Sequence, residues 1–234
     1  MTQQPFYENP GIIGSSTLLP RSRIALEFAS QLRVADILDY GCGDGEVTQE
    51  LARATGAAVV GADISQVAVE ACRRRGLRAE KLEFGRTLPF GDRSFDLVFM
   101  TEVIEHLVDP AGALKEVRRI LKPNGYLILS TPNLACLPNR LLLMIGVQPL
   151  FSEVSEEHIH GRWLRMFGQG GQPVGHLRLY TKRALQEFIS SSGFQILRMR
   201  GAAFHEAGLS GAVESAIANV AGLAMIFVVL ARLP

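Results

Sequence analysis

The chain has 234 residues, 47% of them hydrophobic and 20% charged, with a formal net charge of +1. That length suits one large α/β domain, or one with an insertion, and the apolar fraction is enough for a sizeable core. The balanced charge excludes a broad polycationic surface for nucleic acid, although a locally basic groove stays open, and Cys42, Cys72 and Cys136, in no CxxC spacing, exclude a disulfide scaffold or a cysteine zinc module and suit a reducing cytoplasm.

The opening MTQQPFYENP lacks the basic head and apolar core of a signal peptide. A leading helix carries Arg21 and Arg23. From Asp36 the pattern alternates. DILDY reads as a strand. Gly45 to Thr55 carries Val47, Leu51 and Ala54 at helical spacing, and Gly56 ends it. AVVGADI is a second strand. Ser65 caps a helix through Arg75, with Gly76 as its stop. LRAEKLEF is expected as a third strand and FDLVFM as a fourth. Thr101 is expected to open a short helix. Asp109 caps another, with Pro110 at its first position and Leu114, Val117 and Leu121 on one face. KPNG reads as a turn and YLILS as a fifth strand.

After Asn133 the regularity breaks. Residues 134–175 hold the apolar NRLLLMIGVQPLF and the GQGGQPVG tract, and are expected to form an insertion or lid over the site. TKRALQEFISSSGF restores an amphipathic helix. FQILRMR and AMIFVVLA follow as two further strands. The stretch Ala216 to Ala231 invites a membrane reading. It is shorter than the ~20 residues a spanning helix needs, and AMIFVVLA suits a strand buried on both faces, so a core strand is expected.

Strands separated by helices imply parallel pairing with right-handed crossovers, and sites outside the carboxyl ends of the strands. Those ends are Tyr40–Gly45, Asp63, Phe84–Arg86, Met100–Glu102 and Ser130–Asn133. The first is glycine-rich. Gly41, Gly43 and Gly45 make GxGxG, and the third place after Gly43 is Glu46, so the dinucleotide fingerprint GxGxxG is missing. No P-loop Lys-Ser/Thr follows. Asp39 and Asp44 would repel a pyrophosphate. Asp63, at the end of the second strand, can accept bonds from both hydroxyls of a ribose. The pair of features fits a ligand with a ribose and no phosphate. A bare helix-capping acid is the alternative for Asp63.

The motifs "ILDYGCGDG", "LPFGDRSFDLVFMTEVIEHL" and "RRILKPNGYLILSTPN" resemble the class I S-adenosylmethionine-dependent methyltransferases. The resemblance is dense over residues 36–133 and looser from "GHLRLYTKRAL" onward. It implies a Rossmann-like, doubly wound, mostly parallel seven-stranded sheet with an antiparallel last strand, in a single domain. It places the amino acid end of S-adenosyl-L-methionine against Asp39, Gly41, Cys42, Gly43 and Gly45. Asp63 takes the ribose, Ile64 and Thr101 are further expected cofactor contacts, and Arg21 or Arg23 holds the carboxylate, with a solvated helix face as the alternative for these arginines. Phe84 stands where relatives often carry an Asp, and is expected to stack on the adenine, with Gly85 donating a backbone bond.

Alignment of donor and acceptor can supply ~7–11 kcal/mol of the barrier reduction. A hydroxyl acceptor needs a base or a metal as well. "TEVIEHL" offers Glu102, Glu105 and His106, on one side of the expected helix, and His176 follows in "GHLRLYT". The motif is similar to ExxEH in small-RNA 3′-terminal 2′-O-methyltransferases, where such residues bind a divalent metal, and in some ubiquinone-biosynthesis O-methyltransferases. A metal site of Glu102, Glu105, His106 and His176, a base role for His106 or His176, and a structural role all remain open. His158 and His160 read as solvated, and Trp163, Met166 and Phe167 as walls of the acceptor site. Arg140, Arg162 and Arg165 beside NRLLLMIGVQPLF suggest peripheral contact with a membrane surface. The expectation is a cytoplasmic O-methyltransferase acting on a small-molecule hydroxyl, a sugar, phenol or secondary metabolite. The alternatives are methylation of a quinone-pathway lipid or an RNA end, and a non-catalytic cofactor-binding sensor.

Overall fold

The computed structural model describes residues 18–83, 85, 87–155, 157–161, 173–205, 208–218, 220 and 222–234. The strands are β1 (Asp36–Tyr40), β2 (Ala58–Asp63), β3 (Arg78–Lys81), β4 (Phe95–Thr101), β5 (Leu121–Pro132), β6 (Gln195–Ala202) and β7 (Ile226–Arg232). The helices are α1 (Pro20–Ser30), α2 (Glu46–Thr55), α3 (Gln66–Arg74), α4 (Pro110–Ile120), α5 (Leu137–Met144), α6 (Lys182–Ser191) and α7 (Gly208–Ala218). The strands form one seven-stranded sheet in the order β3-β2-β1-β4-β5-β7-β6. All pairings from β3 to β5 are parallel, and β7 runs antiparallel to both β5 and β6. This is the arrangement that the class I methyltransferase resemblance implies, reversed last strand included.

Alternation along the strands divides the core in two. Leu38, Val98, Leu127, Leu129, Phe227 and Val229 face one layer, which α4 and α6 complete with Leu114, Val117, Leu185 and Ile189. Ile37, Leu97, Phe99, Ile128, Val228 and Leu230 face the other, completed by Phe28 of α1 and Leu51 of α2. A strand covered on both faces gains by being apolar at every position, which is why β7 is buried from Ile226 to Ala231. No helix among the described residues is long and apolar enough to cross a membrane. Phe227 is fully buried. Phe227→Ala is expected to cost ~3–5 kcal/mol of unfolding free energy, read by chemical denaturation.

The helix starts follow their caps. Ser65 accepts from Ala68 N at 3.2 Å, Asp109 from Gly112 N at 2.9 Å, and Thr181 from Ala184 N at 3.3 Å. Several expectations are corrected. β3 stops at Lys81 rather than reaching Phe84, with Leu82 N donating to Asp63 O at 2.8 Å. KPNG is not a turn between elements but a loop inside β5: the register jumps from Phe95↔Leu121 to Leu97↔Tyr126, and Asn124 takes a positive φ of 64°. "TEVIEHL" forms no helix beyond a 3-10 turn at Ile104–His106. Glu102 leaves the helical path with a left-handed φ of 55°, and the Glu105 carbonyl accepts from Leu177 N and Arg178 N. Helix α7 occupies a stretch for which no helix was expected.

The segment 134–175 is partly integral. Leu142, Val147, Leu150 and Phe151 are buried in the second core layer, and Asn139 ties the segment together through Leu134 O, Leu150 O and Leu150 N. Residues 162–172, with Arg162, Trp163, Arg165, Met166 and Phe167, lie outside the described residues, as does Phe84. His158 and His160 are exposed.

Candidate active site

Between β1 and β4 the strand order reverses direction, and the carboxyl ends of neighbouring strands open a crevice there. The loop after β1 crosses it in a left-handed path, with φ of 85° at Gly41, 52° at Gly43 and 85° at Gly45. L-residues other than Asn and Asp rarely adopt this region. Gly41 is also sterically obligatory, since a Cβ there would lie 2.3 Å from Val103 Cγ2. A Cβ on Gly43 would meet nothing within 4 Å. A side chain at Gly43 would therefore meet open space, whereas Gly45 yields space to Cys72.

Asp63 closes this loop from below. Its Oδ2 accepts from Gly43 N at 3.0 Å and its Oδ1 from Ser65 N at 2.8 Å. Burial raises its pKa, and the bonds from Ser65 and Gly43 oppose the rise. Asp39 sits deeper, 2% exposed, and accepts from Thr48 Oγ1 at 2.6 Å. Burial pushes it up to about 7 against the Thr48 bond, and Asp63 adds to the rise. Cys42 turns into a small cluster with Cys72, Val69 and Ala79, and all three cysteines are free thiols.

The crevice holds a cavity of about 570 Å³, the size of a nucleoside-class ligand. Of the expected cofactor residues, Gly41, Asp63, Ile64 and Gly85 line it. Asp39, Cys42, Gly43, Gly45 and Thr101, the last residue of β4, are not among its lining residues. The sequence reading missed the apolar walls, Leu82, Leu88, Val103 and Leu107, and the polar rim at Glu83 and Thr87. Tyr40 was named only as a strand end, and it too lines the cavity.

Beyond β4 the acidic and imidazole residues separate into two groups. Glu102 has a left-handed φ of 55°. Its Oε1 accepts from Ser130 Oγ at 2.8 Å and its Oε2 pairs with Arg21 Nε at 3.1 Å. Arg21 also lies 5.7 Å over the Phe204 ring, and its buried Nη1 has no hydrogen-bond partner. Glu105, His106 and His176 form the second group, with one ligand atom of each within 4.8 Å of the others. Glu102 is not in it, so the four expected ligands do not converge. The left-handed backbone at Glu102 removes the helical spacing that would have put it on one side with Glu105 and His106.

Glu105 is fully buried. Its Oε2 accepts from Thr131 Oγ1 at 3.0 Å, while Oε1 has no partner. Burial, then the charge of Glu102, holds this carboxyl well above the usual range. His106 places Nδ1 at 3.0 Å from Gly175 O, and His176 places Nδ1 at 2.9 Å from Phe151 O. A carbonyl only accepts, so in each neutral ring the proton sits on Nδ1 and the lone pair on Nε2. The two rings lie 4.8 Å apart.

His106 is pushed down to about 4, by burial first and by His176 second, with the Gly175 carbonyl opposing. A group whose folded pKa lies below its unfolded one contributes full stability above the unfolded value, near 6.5. That contribution drains as pH falls from 6.5 towards 4. Denaturation curves across this window should show His106→Asn with a shallower loss of stability than the parent.

A family model described as a methyltransferase domain matches residues 18–198. The ubiquinone biosynthesis O-methyltransferase of Aliivibrio fischeri (strain MJ11) is 28% identical over 174 residues, 71% of this chain and 70% of the relative. An uncharacterised 37.1 kDa protein in transposon TN4556 of Streptomyces fradiae is 43% identical over 102 residues, 41% of this chain but only 30% of the relative's length. Among solved structures, an S-adenosylmethionine-dependent methyltransferase from Mesorhizobium loti superposes with a TM-score of 0.61 at 21% identity, covering 95% of this chain and 100% of that one. A Thermotoga maritima methyltransferase, described as a possible histamine N-methyltransferase, gives 0.58 at 20% identity over 92% of each chain. With the glycine loop, the acid at the end of β2 and the strand order, the family match over residues 18–198 establishes that the chain belongs to the class I S-adenosylmethionine-dependent methyltransferases.

Proposed function

We propose that the protein transfers the methyl group of S-adenosylmethionine to a hydroxyl of a small molecule, a sugar, phenol or secondary metabolite, in a cytoplasmic setting. The observation that carries the reading is the imidazole pair: two rings 4.8 Å apart, each with Nδ1 committed to a carbonyl, and His106 on the cavity wall. In each neutral ring Nε2 is then the basic nitrogen, and O-methylation requires a proton to leave the acceptor oxygen as the carbon–oxygen bond forms. Similarity to ubiquinone biosynthesis O-methyltransferases supports oxygen as the nucleophile. In this reading the loop from Gly41 to Gly45 receives the amino acid end of the cofactor, Asp63 the ribose hydroxyls, Gly85 the adenine side, Ile64 a further cofactor contact, and residues 134–175 the acceptor side. Radiolabelled methyl transfer to a panel of phenols, sugars and amines tests it. Label entering only nitrogen acceptors would overturn it.

Asp63→Ala is expected to weaken S-adenosylhomocysteine binding by ~1–3 kcal/mol, read by calorimetry. The loss has two parts, the direct bonds to the ribose and the support that Asp63 gives Gly43 N.

A second activation route has its own observation. Glu105, His106 and His176 offer one carboxylate and two imidazole donors, and Glu105 Oε1 is buried without a partner. That donor set fits a divalent cation of the Mn²⁺ or Zn²⁺ type, which would supply acidification of the acceptor hydroxyl. Loss of turnover in chelator, restored by Mn²⁺, would select this route over the base. A quinone-pathway lipid remains the second substrate reading, because Leu141, Leu143, Met144 and Ile145 stand exposed together at the end of α5.

A further inference from the structure

Glu153 does not belong to any motif, yet its carboxylate is the anchor of the strap that carries His176. Oε1 accepts from Val174 N at 2.8 Å. Oε2 accepts from Gly175 N at 2.8 Å and from His176 N at 3.1 Å. Three successive backbone N–H groups thus wrap one anion, the geometry of a backbone nest. Each residue so held does something at the site. Val174 lines the cavity. Gly175, at φ 82°, turns its carbonyl to His106 Nδ1. His176 places its ring against His106 and its Nδ1 on Phe151 O. The next two residues, Leu177 and Arg178, bond Glu105 O, and Arg178 Nη1 reaches Leu107 O at 2.6 Å.

We infer that Glu153 is a positioning residue: through the nest it holds the 174–176 strap in the one path that fixes the Nδ1–H tautomer of both His106 and His176. It touches no reacting atom and acts through Gly175 O and the His176 backbone. The inference rests on the acid–base reading of the two imidazoles for its catalytic meaning, but the tautomer control stands or falls by itself. Charge matters as well as shape. A glutamine in the same place has one acceptor oxygen, and its NH₂ would face at least one of the three N–H donors.

The test uses uniformly ¹⁵N-labelled full-length protein with S-adenosylhomocysteine bound, parent and Glu153→Gln. Long-range ¹H–¹⁵N spectra, with His106→Gln and His176→Gln for assignment, read the tautomers. Amide exchange reads the strap. In the parent, both rings should carry the proton on Nδ1. In Glu153→Gln, the amides of Val174, Gly175 and His176 should exchange ~10–100-fold faster, the cost of losing charge-assisted bonds. Both rings should move to the mixed tautomers of a solvated imidazole. A general loss of stability would not do this, so Ile189→Ala, a fully buried change in α6, should leave the tautomers as in the parent. Unchanged exchange in Glu153→Gln overturns the nest. Faster exchange with unchanged tautomers overturns the positioning role. Methyl transfer by His106→Ala and His176→Ala tests the acid–base reading separately.

Discussion

Gly43→Val should abolish S-adenosylhomocysteine binding in calorimetry while leaving the protein folded. The distinction between the glycines of the loop makes this a clean test. A side chain on Gly41 would strike Val103, and one on Gly45 would strike Cys72, so those changes would disturb the fold and the site together. A side chain on Gly43 meets no protein atom within 4 Å. Its cost to the fold is the left-handed φ of 52°, a strain of ~1–2 kcal/mol, small against the 5–15 kcal/mol stability typical of a domain. Its cost to binding is steric, because the proposed cofactor end lies against the Gly43 backbone, whose N–H Asp63 holds. An unfolding midpoint near the parent's, with binding lost, is the expected pair of results. Retained affinity would remove the cofactor from this loop.

The second large effect is on turnover. His106→Ala should lower the methyl-transfer rate ~10²–10⁴-fold if the imidazole takes the acceptor's proton. The same change should not alter S-adenosylhomocysteine affinity by a comparable factor, since the cofactor is expected on Gly41, Asp63 and Ile64 rather than on His106. The pH dependence follows from burial. An unperturbed imidazole would give a rate rising through ~6.5. His106 is pushed down to about 4, so its basic form already dominates at neutral pH. The base limb of the rate profile should fall near pH 4, with a plateau through neutrality. A limb near 6.5 would assign the proton transfer to a different group. Full activity in His106→Ala and in His176→Ala, in the presence of chelator, would leave catalysis to alignment alone and favour an acceptor already acidic at neutral pH.

The sequence by itself determined the sheet and the donor end of the site. Continuous apolar strands, capped helices and glycine stops are local signals, and each reports on residues within a turn or two of itself. β7 was legible because a strand covered on both faces must be apolar throughout. The GxGxG turn and Asp63 were legible because a left-handed loop needs glycines and its neighbouring strand end carries the acid that holds Gly43 N. Only the tertiary structure decided the acceptor end. The helix expected over "TEVIEHL" is broken at Glu102, which takes a left-handed φ of 55° and whose N–H bonds Ser130 O beyond the end of β4, a partner 28 residues away. Glu102 pairs with Arg21 and Ser130, and Glu105 lies buried beside the two imidazoles. Glu153 had no sequence signal, because a nest is built from backbone N–H groups that every residue but proline carries. The depression of His106 to about 4 was equally invisible: burial and a facing ring are properties of the packed molecule, not of the histidine.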